Sequence, residues 1–462
     1  HPDFKDHIVG IHSYGITPSV QGWVNAPYND GASDVESGHG THVAGSVLGD
    51  GTQSSGAITG VAPEARLYMQ ATQVYTDWTT AAENNFGYSD GYTLLGIPDD
   101  LSIMFDEAAV NGSHIHTNSW GAPVAGQYNA NAMQADYSAR NHSGMLILFA
   151  AGNSGVDSNS DGEIDDDSIG SPATSKNVLT VGASENDRGT QISSEWGPWG
   201  GYTTDPIKSD KIANNTEGMA AFSSRGPVDD GRMKPDISAP GTFILSTKSR
   251  STTQTGWLAH SNTDYTYMGG TSMATPLTAG AAALLYQHLD SNLGHSDPTS
   301  SLLKAIIAAS ARDMAGQYGS STNGAGEAAP NYHEGWGLLD LDRAVNTSWV
   351  DNESVNTGDS RAWKFTVPSS APDLKIAVAW TDPASTPTAS VNLVNDIDFA
   401  VKDPSGNWVE YGNNLDNLIG TTISSPAAGQ WEIHVNGTNI PTGPQHFSMV
   451  IDAPYSMINL SA

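Results

Sequence analysis

The sequence predicts an α/β domain, a mostly parallel sheet flanked by helices, followed by an all-β sandwich domain. Three observations carry this. The run Ala274 to Leu285 is almost unbroken in small and apolar residues, too rich in Ala for a strand and long enough for a buried helix. Met145 to Phe149 is a short apolar run of the length of a buried strand. Beyond Thr347 the composition changes to short alternating runs separated by turn residues, with no helical pattern. We therefore divide the chain into residues 1–346 and 347–462.

Composition bounds the function. The 462 residues carry 50 acidic against 19 basic side chains, a formal charge of −31, and no cysteine. Such a chain repels nucleic acid and anionic membranes. Neither disulfides nor thiolate metal sites can hold it together. No stretch approaches the roughly 18 apolar residues of a membrane span. An acidic, cysteine-free surface fits a secreted protein in saline water, stabilised by divalent cations.

Along the chain, Asp30, Asp34 and Glu36 lie in a polar loop, read as solvated or as a weak cation site. Gly38-His39-Gly40-Thr41-His42-Val43-Ala44-Gly45 then puts His39 where that loop enters a helix of small residues. A turn over 56–63 leads to a strand over 65–70. The polar segment 73–92 reads as a surface insertion. Leu101 to Val110 reads as an amphipathic helix with Leu101, Met104, Phe105 and Ala108 on one face. Ser119-Trp120-Gly121 ends a strand, and Asn153 falls just past the Met145–Phe149 run. A second polar insertion covers 200–218, and a late helix covers 302–311. The all-β part follows in runs at 362–367, 374–380, 396–401, 408–411, 431–435 and 447–451.

Pro276 is tolerated only in a first turn, which sets the start of the Ala-rich helix at Thr271 or Ser272. A serine there sits at the positive end of the helix dipole, where a developing oxyanion is favoured. Either residue could instead simply cap the helix. Ser272, His39 and Asn153, each at the end of a core element, are together the parts of an acyl-transfer site.

Gly270-Thr271-Ser272-Met273-Ala274-Thr275-Pro276, the His39 motif and Ala150-Ala151-Gly152-Asn153-Ser154-Gly155 match the subtilisin-like serine proteases in content and order. Gly60-Val61-Ala62-Pro63, Asn118-Ser119-Trp120-Gly121, Phe222 to Pro227, Lys234-Pro235-Asp236, Ala239-Pro240-Gly241 and Gly335-Trp336-Gly337 extend the resemblance from His1 to about Asn346. It implies a subtilisin-like catalytic domain and a broad-specificity serine endopeptidase, with Ser272 as nucleophile, His39 as general base and Asn153 as oxyanion donor. It also implies that Ser119, Trp120 and Gly121 pair with an extended protein or peptide substrate, Gly121 leaving room for a side chain. Ser171-Pro172 is expected to be cis, and Met273, beside the nucleophile, to be an oxidation target. The all-β part resembles a C-terminal jelly roll, through 393–398 and Gly443-Pro444-Gln445. We expect a monomer.

The opening His1-Pro2-Asp3-Phe4 resembles the segment that follows the family's Asp-Ser/Thr-Gly motif. Asp3 and Asp6 stand beside a turn and not at a strand end, so we expect the triad aspartate to lie upstream of His1. A scaffold that lacks it would be a catalytically inactive binding or structural module.

Asp157-Ser158-Asn159-Ser160-Asp161-Gly162-Glu163-Ile164-Asp165 alternates oxygen side chains, with a glycine for a sharp turn and an apolar anchor. This is the pattern of a calcium loop. The donors would be Asp157, Asn159, Asp161 and Asp165, with the Glu163 carbonyl. Ser168 replaces the glutamate usual at the twelfth position, where Asp166 or Asp167 could substitute; a solvated acidic loop is the alternative. Asp382, Asn395, Asp396 and Asp398 could form a second calcium site or cap turns.

Overall fold

The computed structural model describes residues 1–314, 318 and 328–460. They form two compact units, one of His1–Ser113 with Phe243–Gly269, the other of His114–Thr242 with Gly270–Ala462. Their boundaries do not coincide with the change of composition at Thr347.

In the first unit, Ile8–Ser13 pairs in parallel with Leu67–Ala71. The helix His39–Leu48 packs on Ile244–Thr247, the edge strand of a three-stranded sheet with Tyr265–Met268 and Leu258–Ala259. Gly45 is required by that packing. A Cβ there would come within 2.1 Å of Thr247 Oγ1 and 2.5 Å of Ser246 Oγ. The insertion at 73–92 has more structure than its polarity suggests. Its hairpin (Val74–Thr76 with Gly91–Thr93) and helix (Thr80–Phe86) enclose a small core of Ile16, Val24, Val74, Trp78 and Ala82. The expected amphipathic helix is present as Ser102–Val110, with Met104, Phe105 and Ala108 buried.

The second unit is built on four parallel strands in the order Ile115–Asn118, Leu146–Ala150, Leu179–Ser184, Ile237–Pro240. Every residue of Leu146–Ala150 is buried, which explains its unalternating apolar sequence. The helix Thr271–Gln287 lies against this sheet. The 200–218 segment is not a purely surface insertion. Tyr202, Ile207, Ile212 and Ala213 are buried, beside Trp196, whose indole N–H donates to Glu185 at 3.2 Å.

Beyond Thr347 the chain forms two antiparallel sheets, of four and five strands, around a shared core that includes Trp363, Phe365, Trp380, Phe399, Trp431 and Phe447. Ser348–Val355, Leu418–Ile423 and Ile458–Asn459 are strands in addition to the six runs read from sequence. This sandwich is joined tightly to the parallel sheet. The helix Ser300–Ser310 is buried along its whole length, in contact with strands of both. Lys176, fully enclosed, donates through Nζ to Asp382 and to the carbonyls of Pro383 (2.6 Å) and Asn392 (2.7 Å). Among the described residues no helix is long and apolar enough to cross a membrane.

Candidate active site

The serine helix begins at Thr271, and no side chain caps it. The cap residue is Gly270, at φ 138°, so neither Thr271 nor Ser272 has the simple capping role. Gly270 is there for its backbone, a conformation that L side chains rarely adopt; a Cβ would meet Asn153 only at the ordinary contact distances of 3.4 Å (Nδ2) and 3.5 Å (Oδ1). Thr271 instead fixes Asn153: its N–H and hydroxyl donate to Asn153 Oδ1 at 2.8 and 3.0 Å. The Thr271 hydroxyl also accepts the Gly152 N–H at 3.3 Å. With Oδ1 so engaged, the amide group of the exposed Asn153 side chain is left to donate. First-turn N–H groups of a helix have no intrahelical acceptor, and Ser272 is the second residue of this one.

Pro276 lies beyond the first turn, contrary to the expectation from sequence. A proline four residues after Ser272 removes the bond that would normally satisfy the Ser272 carbonyl. Ser119 replaces it, its hydroxyl donating to that carbonyl at 2.8 Å. In return the Ser272 hydroxyl donates to the Ser119 carbonyl at 3.3 Å. Ser272, Asn153 and Ser119 are thus brought together in one unit. The bracing roles of Thr271 and Ser119 escape a reading by motif; the Pro276 spacing was the signal that could have pointed to Ser119.

Trp120 stands edge-on to Phe149, with ring centroids 5.1 Å apart. Gly121 has a reason in the fold besides the expected one. A Cβ there would meet the Ser171 carbonyl at 2.9 Å, because Ala122 and Ser171 exchange backbone hydrogen bonds at 2.9 Å. Its glycine makes room for the protein's own backbone. The Ser171-Pro172 bond is cis. Met273 is buried.

His39 belongs to the other unit. It opens its helix after Gly38 (φ 73°), again without a side-chain cap. Asp34 supports that first turn, accepting from the Thr41 N–H and hydroxyl at 2.8 and 2.7 Å. This is a helix-end role and not a cation site. Burial lowers the His39 pKa, and the Asp34 charge opposes that shift. The following histidine, His42, is structural: its Nε2 meets the carbonyls of Ile244 (3.0 Å) and Thr266 (3.2 Å), and burial pushes its pKa down to about 3.

In the Asp157 loop the acidic oxygens face their own backbone. Asp157 accepts from the N–H of Asp161 at 3.0 Å and of Gly162 at 3.1 Å, and Asp161 accepts from Glu163 at 2.9 Å. Burial, then Asp161 and Asp157, raise the Glu163 pKa, a crowding that a hard cation would relieve. The donor types fit calcium, although among the described residues no three His, Cys, Asp or Glu side chains converge on a metal position. Ser168 is committed elsewhere, its hydroxyl accepting the Arg225 N–H at 2.8 Å. In the second acidic group the Lys176 ammonium pairs with Asp382, which also accepts the N–H of Val394 (2.9 Å) and Asn395 (2.8 Å).

The model of the subtilase family matches residues 1–337. The chain belongs to the subtilase family. Among curated relatives, the serine protease/ABC transporter B family protein tagD of Dictyostelium discoideum is 28% identical over 90% of this chain and 29% of its own length. Serine protease AprX of Bacillus subtilis is 32% identical over 62% of this chain and 54% of its own. The subtilase thus spans less than a third of the first relative and about half of the second. Among solved structures, the prenylagaramide maturation protease PagA aligns with a TM-score of 0.43 at 22% identity, over 73% of this chain and 92% of that one.

Proposed function

We propose that this subtilase is a secreted serine endopeptidase of broad specificity, with protein or peptide substrates. Ser272 Oγ attacks the scissile carbonyl carbon while His39 takes the hydroxyl proton. The oxygen that gains charge is received by the Asn153 amide and the Ser272 N–H. The tetrahedral adduct collapses to an acyl-enzyme as His39 returns the proton to the departing amine, and water then repeats the sequence. The observation that carries this reading is the anchoring of Asn153 Oδ1 by Thr271, which commits the amide to donation beside the serine helix.

Ser119, Trp120 and Gly121 are assigned to the substrate strand, where backbone pairing favours little side-chain preference. The Asp157 loop is assigned to structural calcium on its donor chemistry, and the C-terminal sandwich is read as a jelly roll. The acidic surface supports action on proteins in saline surroundings, as a monomer and without nucleic-acid or membrane partners. The test is hydrolysis of a denatured protein by the full-length protein, with block by a serine-directed phosphonate. An intact substrate and an unlabelled enzyme would favour the inactive scaffold.

A further inference from the structure

The insertion at 73–92 carries an aromatic surface. Trp23, Phe86, Tyr88 and Trp78 form a continuous ladder with ring centroids 5.1, 5.5 and 4.3 Å apart. Trp78 is buried in the small core beneath, but Trp23, Phe86 and Tyr88 keep 41%, 53% and 46% of their surface in solvent. Tyr75, on the adjoining hairpin, keeps 44%. Contiguous exposed apolar surface with a polar rim marks an interaction site.

The platform is preformed. The Thr79 N–H donates to the Trp23 carbonyl at 2.9 Å, Asn25 to the Asp77 carbonyl at 2.7 Å, and the Trp78 N–H to Asp90 at 2.8 Å. Thr79 caps the Thr80–Phe86 helix, and Gly87 closes it at φ 70°. A ligand would therefore meet rings already held in place, at little ordering cost.

Charge decides which ligand. Asp30, Asp77, Glu83 and Asp90 are all exposed in the same segments, and Arg66 is the one basic residue between Lys5 and Arg140. A cation over an aromatic face is attracted by the ring quadrupole, and the carboxylates add a longer-ranged pull. A saccharide would also stack on these rings and could donate hydroxyls to a carboxylate, but the long-ranged attraction of the negative rim acts on a cation and not on a neutral sugar. The insertion is also tied to the loop that leads into His39. The Tyr75 N–H donates to Asp30 and Gln73 Nε2 to Glu36, each at 3.0 Å.

We propose that this aromatic face docks Lys- or Arg-bearing stretches of a polypeptide substrate, an assignment that rests on the peptidase reading. The test uses the full-length Ser272→Ala protein, which binds without cutting, titrated with a peptide alternating Lys and Leu and with its Glu–Leu counterpart. The Lys peptide should bind, more weakly as salt rises, and the Glu peptide should not. Trp23→Ala with Phe86→Ala should weaken binding by about tenfold. Glu83→Gln, a change on the solvent face, should weaken it by about threefold at low salt only. Equal binding of both peptides, unchanged affinity in the double variant, binding of a soluble oligosaccharide instead, or self-association through these rings would each overturn the proposal. With Ser272 restored, phosphonate labelling of the double variant separates the two readings. Labelling without a docking effect faults the docking site, and no labelling in the parent protein faults the peptidase.

Discussion

The two helices that carry the candidate acyl-transfer residues begin alike and are completed differently. Each follows a glycine at positive φ, each lacks a side-chain cap, and each places a reactive side chain in its first turn. Around Ser272 the orphaned groups of that first turn are matched by neighbours: Asn153 takes the Thr271 N–H, and Ser119 takes the carbonyl that Pro276 leaves free. Around His39 the backbone is supported by Asp34, which accepts from the Thr41 N–H and hydroxyl. The serine setting is therefore stiff and chemically complete. The histidine setting supplies a base that burial keeps neutral, with the Asp34 charge opposing that shift.

The comparison breaks first at Ser272. Replacing it with Ala should lower peptide hydrolysis by about 10⁶-fold, the scale seen when a triad serine is lost. Retained turnover in that variant would take the serine helix out of the chemistry. Next in size, Asn153→Ala should reduce kcat by about 10²–10³-fold with little change in KM, because its amide acts on the oxyanion and not on the bound substrate. A rise in KM alone would assign Asn153 to substrate binding.

Ser119→Ala sharpens the claim of stiffness. It leaves the Ser272 carbonyl without its donor, and thermal unfolding should show a loss of about 1–3 kcal/mol. An unchanged melting temperature would mean that the carbonyl is satisfied otherwise. The histidine side is tested by pH. Burial favours neutral imidazole, so the acid limb of kcat/KM should have its midpoint below the ordinary 6.5. Asp34→Asn, which removes the opposing charge, should move that midpoint lower still. The smallest effect concerns calcium: excess chelator should lower the melting temperature by a few degrees if the Asp157 loop holds a cation in the native state.

The order of elements was legible because core strands and helices differ so clearly in length and composition here. Leu146–Ala150 and Thr271–Gln287 stand out by apolarity alone. The positions of Ser272 and Asn153 at element ends were legible for the same reason. What could not be read was which donor meets which acceptor across distant segments. Gly121 reads as space for a substrate, and the fold also uses it as space for the Ser171 carbonyl. Asp382 looked like a metal ligand, but the ammonium paired with it comes from Lys176, some two hundred residues away. The 73–92 insertion looked like plain surface because its few apolar residues are scattered, and only the fold gathers Val74, Trp78 and Ala82 into a core.

The most direct test of the serine setting is to locate the adduct after the full-length protein reacts with a fluorophosphonate, by peptide mass mapping. The account predicts a single adduct on Ser272, formed much more slowly in Asn153→Ala. An adduct on another serine, or an Asn153→Ala protein that reacts at the parent rate, would contradict it.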